Sequence, residues 1–326
     1  MPETTIAAVI GSGVIGRSWA LVFARGGCRT HIYDAIPTQA ARARAWVAET
    51  VALAVGHGLM TRAEAAEAEQ RVTVCADLAS ALRGAVYVQE SGPENLEQKQ
   101  RMFVEVDRLA DAQAIVATST STLNIHDIAA GLPGAYRCFV AHPVNPPHVI
   151  PAVEILPMPG APEEVIDRAC GFLRKVGQSP VRVKRYVVGF ILNRLQAALV
   201  REAINIVQSG VADVDSVDAT VRDGLGLRWA IMGPFGVANT NADEGIRQYY
   251  GRYGPAYLAL MNDLGPTPAF DDAMIEALGR GVDEMTRTES QAEQLHRRDR
   301  LILAIRRLKA ELASVKPTLS AGEGSG

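Results

Sequence analysis

The segment "TIAAVIG" (Thr5–Gly11) runs directly into "GSGVIG" and then into "VIGRSWALVFARGG". An apolar strand, a Gly-x-Gly-x-x-Gly loop and a helix in immediate succession leave little freedom in how a chain folds. Gly11 permits a tight turn, Gly13 lets the backbone approach a ligand, and Gly16 lets helix and strand pack closely. The helix N-terminus then presents unpaired N–H groups to anionic phosphates. The loop Gly11, Ser12, Gly13, Val14, Ile15, Gly16 is therefore a candidate dinucleotide cradle. Asp34 ends the next strand about twenty residues on, where a carboxylate can bind ribose hydroxyls and repel a 2′-phosphate. That favours NAD over NADP. FAD sites use a similar fingerprint, and a glycine turn with no ligand is the plain alternative.

Short apolar runs alternate with helical patterns through the first half: Thr5–Gly11, Arg29–Asp34, Arg71–Cys75, Ala85–Glu90, Ala114–Ser119 and Arg137–His142. Such alternation predicts an α/β fold, a Rossmann-type doubly wound and mostly parallel sheet. "PMPGAP" (Pro157–Pro162) interrupts it, and a helix and a strand (Ser179–Arg185) follow. From Val188 onward the pattern is helical. The expected organisation is a nucleotide-binding domain over 1–186, an all-helical domain over 187–316 and a disordered tail over 317–326. Leu301, Ile305, Leu308 and Leu312 give the last helix an apolar stripe for docking on the body or on a second subunit.

The chain of 326 residues has a formal charge of -3, which supplies no electrostatic reason for nucleic acid or an anionic membrane as partner. No uninterrupted apolar run of membrane-spanning length is present. Cys28, Cys75, Cys138 and Cys170 are far apart and form no Cys-x-x-Cys pair, as in a reducing compartment. The expected location is the cytoplasm.

A second feature asks for chemistry. "RCFVAHPVNPPHVIPAVEIL" places His142 at the end of one apolar run and Glu154 inside the next. An ionised glutamate among Val153, Ile155 and Leu156 needs a partner, and a histidine is one that could use it. "TSTST" (Thr118–Thr122) ends another strand, and Asn193 lies in "GFILNRL". In an open parallel sheet the ligand crevice lies beyond the strand carboxyl ends. His142 and His148 as a metal pair lack a third ligand, and the Gly-x-Ser-x-Gly elbow of serine hydrolases is missing.

In these stretches, and in "QESGPENLEQK", "GQSPVRV" and "DGLGLRWAIMGP", the chain resembles the 3-hydroxyacyl-CoA dehydrogenase superfamily, and more closely its λ-crystallin/L-gulonate 3-dehydrogenase branch. The likeness runs from about Ile6 to Lys309. It implies that His142 is the general acid/base and Glu154 its orienting carboxylate. It also implies that Ser121 and Asn193 bind the reacting oxygen, and that Glu90 and Lys99 lie near the nicotinamide ribose. The implied cofactor is NAD, and the implied assembly is a homodimer through the helical domain.

Two substrates fit this resemblance, a coenzyme A thioester and a small free 3-hydroxy acid. Coenzyme A phosphates usually meet basic side chains, yet no lysine precedes Lys99. Arg228, in what reads as a glycine-rich turn with Gly224 and Gly226, suits a bidentate grip on a free carboxylate. The expected activity is oxidation of a small free 3-hydroxy acid of the L-gulonate or L-3-hydroxybutyrate type. The 6-phosphogluconate-like dehydrogenases rely on a catalytic lysine that "GFILNRL" does not offer. A non-catalytic, crystallin-like role is the alternative of another class.

Overall fold

The apolar runs assemble into one eight-stranded sheet. The computed structural model describes residues 5–314 and orders the strands β3-β2-β1-β4-β5-β6-β7-β8. They are β1 (Ile6–Ile10), β2 (Arg29–Tyr33), β3 (Val72–Val74), β4 (Ala85–Glu90), β5 (Ile115–Thr118), β6 (Cys138–Pro143), β7 (Ala152–Pro157) and β8 (Ser179–Arg182). Neighbours pair in parallel except β6 and β7, which run antiparallel. The mostly parallel α/β architecture expected from the alternation is present.

Parallel strands covered on both faces must be apolar at nearly every position. β1 shows the consequence. Ala7 and Val9 enter a core that includes Trp19, Phe23, Val47 and Leu173, from the helices Val14–Arg25, Pro37–Gly56 and Glu163–Lys175. Ala8 and Ile10 enter a second core, with Leu82, Phe103, Ile125 and Phe190, on the opposite face. The same period of two runs along β6, where Phe139 and Ala141 join the first core and Cys138 and Val140 the second. His142 and Glu154, at even positions of β6 and β7, therefore share the second face.

The described chain divides into two compact units, one comprising residues up to Ile191 together with those from Leu295 onward, the other Leu192–Gln294. The last helix, Gln291–Ser314, thus groups largely with the sheet, although its sequence position suggests the helical domain. Arg306 accounts for this, donating to the carbonyls of Val149 (2.8 Å) and Gly177 (3.3 Å). The expected tail over 317–326 lies outside the described residues. The second unit is helical, with Leu192–Gln208, Ile246–Asp263 and Asp272–Met285 as its long elements. Among the described residues, no helix is long and apolar enough to cross a membrane.

The close packing of strand and helix at the glycine loop is testable. A Cβ on Gly16 would lie 1.9 Å from the Gly11 carbonyl oxygen, whereas one on Gly13 meets nothing within 4 Å. Overpacking against backbone typically costs about 1–3 kcal/mol. Gly16→Ala is expected to lower Tm by about 3–10 °C and Gly13→Ala to leave it unchanged. Scanning calorimetry of both variants checks the contrast.

Candidate active site

The site begins at the glycine loop. Gly11 has φ +87°, and a Cβ there would come within 2.8 Å of the Gly92 nitrogen. The helix Val14–Arg25 starts at Gly13 with no side-chain cap, so its first-turn N–H groups are left for an external acceptor. Asp34 is held beside the loop. Its Oδ2 accepts from the Ser12 amide (2.8 Å) and hydroxyl (2.7 Å), and its Oδ1 from the Ile36 amide (2.9 Å). An open cradle at Gly13, an uncapped helix start and a carboxylate beside them fit a dinucleotide with free ribose hydroxyls.

At the end of β4 lies a buried ion pair. Glu90 and Lys99 are 3 % and 2 % exposed, and Lys99 Nζ reaches the two Glu90 oxygens at 2.8 and 3.0 Å. Thr118 Oγ1 (2.6 Å) and the Gly92 amide (2.7 Å) also donate to Glu90. Both ends of that carboxylate are engaged inside the protein, which gives Glu90 and Lys99 the geometry of a brace between β4, β5 and the helix Leu96–Leu109. The carboxylate nearer solvent is Glu94, which the sequence reading passed over within "QESGPENLEQK". Its Oε1 gathers the Thr120 hydroxyl (2.6 Å), the amides of Ser121 (3.0 Å) and Thr122 (3.1 Å), and the Thr122 hydroxyl (3.0 Å). Partial burial pushes the Glu94 carboxyl up, but those donors and the Lys99 charge outweigh it and hold the group below its ordinary value. Ser121 is thereby fixed by its backbone, with its hydroxyl 3.4 Å from the same oxygen.

His142 and Glu154 are cross-strand partners in the β6–β7 ladder. Their side chains meet with His142 Nδ1 at 2.8 Å from Glu154 Oε2, and the residues are 7 % and 4 % exposed. The other carboxylate oxygen, Oε1, accepts from the Ile191 amide at 2.7 Å. That amide is delivered by an unusual turn, in which Gly189 has φ +76° and Phe190 φ +47°. A left-handed non-glycine residue costs about 1–2 kcal/mol, while a hydrogen bond to a charged acceptor returns about 1.5–3 kcal/mol. Fully buried Phe190 also lies over the His142 ring, with centroids 5.5 Å apart. Only the glycine before Phe190 hints at this turn in the sequence. The expected pairing of His142 with Glu154 is thus realised in the geometry, and a carboxylate on Nδ1 leaves Nε2 of the ring for other chemistry.

His148 turns elsewhere, its Nδ1 lying 3.1 Å from the Ser18 hydroxyl of the first helix. Among the described residues, no three His, Cys, Asp or Glu side chains are placed to hold a metal ion. Asn193 and Arg228 belong to the helical unit. Asn193 is the second residue of Leu192–Gln208 and follows Ile191 by two residues along the chain. Arg228 sits in Gly226–Trp229, a short helix continuing the π-helical turn Thr220–Leu225. The glycine bend expected around it is not formed, since Gly226 is helical with φ -62° and ψ -38°. A Cβ on Gly226 would lie 2.8 Å from the Val221 carbonyl oxygen, so this glycine admits a widened helical turn where a sharp bend was expected. Arg228 is exposed on that helix.

The fold, the glycine cradle and the buried histidine–glutamate pair together describe a nicotinamide-dependent dehydrogenase. Residues 6–186 match the 3-hydroxyacyl-CoA dehydrogenase NAD binding domain, and residues 189–276 match the C-terminal domain of the same family. The chain belongs to the 3-hydroxyacyl-CoA dehydrogenase family, whose NAD binding domain it contains. It is 38 % identical to a lambda-crystallin homolog of Bos taurus over 310 residues, 94 % of this chain and 96 % of the relative. An L-carnitine dehydrogenase of Streptomyces griseus is 34 % identical over 306 residues, 94 % of this chain and 90 % of that one. Among solved structures, an NAD⁺-dependent 5-formyl-3-hydroxy-2-methylpyridine 4-carboxylic acid 5-dehydrogenase superposes with a TM-score of 0.74 at 29 % identity, covering 94 % of this chain and 98 % of that one.

The Glu90–Lys99 brace gives a clear expectation. Removing one partner of a buried pair strands the other charge at about 3–5 kcal/mol. Lys99→Met is expected to lower stability by that much, and Lys99→Met combined with Glu90→Gln to recover part of it. Urea unfolding of parent, single and double variants measures both.

Proposed function

We propose that this chain is an NAD-dependent dehydrogenase of a small free 3-hydroxy acid, oxidising the 3-hydroxyl to the 3-ketone. The observation behind the reading is the buried hydrogen bond between His142 and Glu154. Glu154 fixes the ring's orientation and tautomer, and its charge favours the imidazolium as it forms. His142 Nε2 takes the hydroxyl proton, and Ser121 and Asn193 hold the reacting oxygen. A bound NAD⁺ would supply the acceptor for the hydride that leaves the carbon bearing that oxygen. Gly11 to Gly16 hold its pyrophosphate, with the first-turn amides of the helix as donors, and Asp34 holds the adenosine ribose. Lys99 and Glu90 act by bracing the strand ends. In the ketone-reducing direction His142 returns the proton.

Arg228 is the proposed anchor for the free carboxylate. Support comes from its planar guanidinium, and from relatives whose names specify lambda-crystallin and L-carnitine dehydrogenase. The helical unit exposes large apolar side chains, among them Ile231 (68 %), Phe235 (70 %) and Phe270 (71 %), which supports a homodimer formed through it. The cytoplasm remains the compartment this reading assigns. The competing reading within the family is a 3-hydroxyacyl-CoA substrate, favoured by the name of the matched domains.

The deciding experiment is NADH formation from NAD⁺ with L-gulonate, L-3-hydroxybutyrate, carnitine and a 3-hydroxyacyl-CoA. Turnover of a free acid is expected. Turnover of the thioester alone would replace this reading with the acyl-CoA one, and no turnover at all would favour a non-catalytic role. His142→Ala is expected to reduce kcat about 10²- to 10⁴-fold with NAD affinity unchanged, as read by turnover and by NADH fluorescence titration. Arg228→Met is expected to lose one charge-assisted contact of about 1.5–3 kcal/mol. That corresponds to about 10- to 150-fold in kcat/KM for a short free acid, while a neutral amide of the same acid loses little.

A further inference from the structure

The sheet-bearing unit has a further cleft, open to solvent on the side of its charged residues, whose walls include neither the glycine loop nor the His142–Glu154 pair. Its volume is about 130 Å³, and it lies among the helices Val14–Arg25 and Pro37–Gly56, the last helix, and the His148–Val149 segment. Leu21, Val51, Met60 and Leu303 make part of its wall apolar. Two guanidiniums, Arg25 and Arg300, also line it, with the imidazoles of His57 and His296.

The charges on this wall are not balanced. Arg25 donates one long hydrogen bond, 3.3 Å to the His148 carbonyl, and has four other N–H donors. Part of its side chain meets solvent, yet the surrounding protein desolvates the guanidinium enough to pull its pKa down against the opposing field of Glu64. Neither Arg25 nor Arg300 forms an ion pair among the described residues. Asp299 also lines the space, but its carboxylate is taken by Arg298 at 2.7 Å. The His148 ring adds no charge near neutrality, because burial pulls its pKa down to about 4. Two exposed arginines, neither of them in an ion pair, thus border one small space beside an apolar wall.

We propose that this space is a second ligand site, one that binds a short-chain monocarboxylate with its head on Arg25 and Arg300 and its chain against Leu21, Met60 and Leu303. A carboxylate accepts two parallel N–H donors from a guanidinium, and two guanidiniums use all of its lone pairs. A space of about 130 Å³ with both arginines exposed at its edge takes the chain of a short acid and is too small for a long acyl chain. Inorganic phosphate would leave the apolar wall wet, and a dicarboxylate would press its second charge against it.

Isothermal titration of the full chain with hexanoate tests the site. Saturable heat is expected, with or without saturating NAD. Arg300→Met should weaken it about tenfold or more. Ala54→Leu, which narrows the space and keeps both arginines, should weaken it too, and if that variant fails to fold, Arg300→Met alone decides. Arg228→Met should leave the heat unchanged, which separates this site from the one proposed for the reaction. The proposal is overturned if hexanoate gives no heat or if phosphate binds as well as hexanoate. It is equally overturned if the heat survives Arg300→Met and disappears in Arg228→Met.

Discussion

One carboxylate buried in the middle of a strand organises the β6–β7 side of the sheet-bearing unit. Glu154 is flanked by Val153 and Ile155, which point to one core, while its own side chain enters the other. A charge in that position is tolerable only if both oxygens are met. Oε2 is met by His142 and Oε1 by the Ile191 amide. The first contact fixes the register of β7 against β6, because a slip of one residue would turn Glu154 to the wrong face. The second fixes the turn at Gly189–Phe190, including the left-handed Phe190 whose ring packs at a tilt against the histidine ring. A strand pairing, a strained turn and the orientation of an imidazole thus answer to one buried charge.

The sheet was legible in the sequence because its signals are local. Apolar runs, glycines and a strand-ending acid each act within a few residues, and β1, β2 and β4 fall where those signals stand. The meeting of His142 with Glu154 was also legible, since a lone glutamate among branched apolar residues has few physical explanations. Contacts that close over longer sequence distances were not. Glu90 was placed near the nicotinamide ribose by the family resemblance alone, and its local sequence does not show that Thr118, 28 residues away, and Lys99 enclose it. Glu94 reads like an ordinary loop residue until the "TSTST" turn folds onto it. The helical course at Gly224–Gly226 was misread for a related reason, since glycine permits a bend without requiring one, and the neighbouring turns decide.

The last helix shows how position along the chain can mislead about position in the fold. Arg306 reaches two backbone carbonyls, those of Val149 and Gly177, that precede β7 and β8 by a few residues. The segment between His142 and Glu154 is tied to distant parts of the chain by several contacts, among them His148 to Ser18, the His148 carbonyl to Arg25, and the Val149 carbonyl to Arg306. These ties link the segment that follows His142 to the helix that opens at the glycine loop, and to residues more than 150 positions further on.

The three glycines of the loop are alike in the sequence and unlike in what surrounds them. Gly11 and Gly16 are hemmed in by backbone of the protein itself, whereas the space over Gly13 is open. A lineage that kept this architecture but had no further use for a dinucleotide would still be obliged to keep the outer two. Drift would show first at the middle position. Retention of the outer glycines across such a lineage is a record of folding, and only the middle one is a record of use.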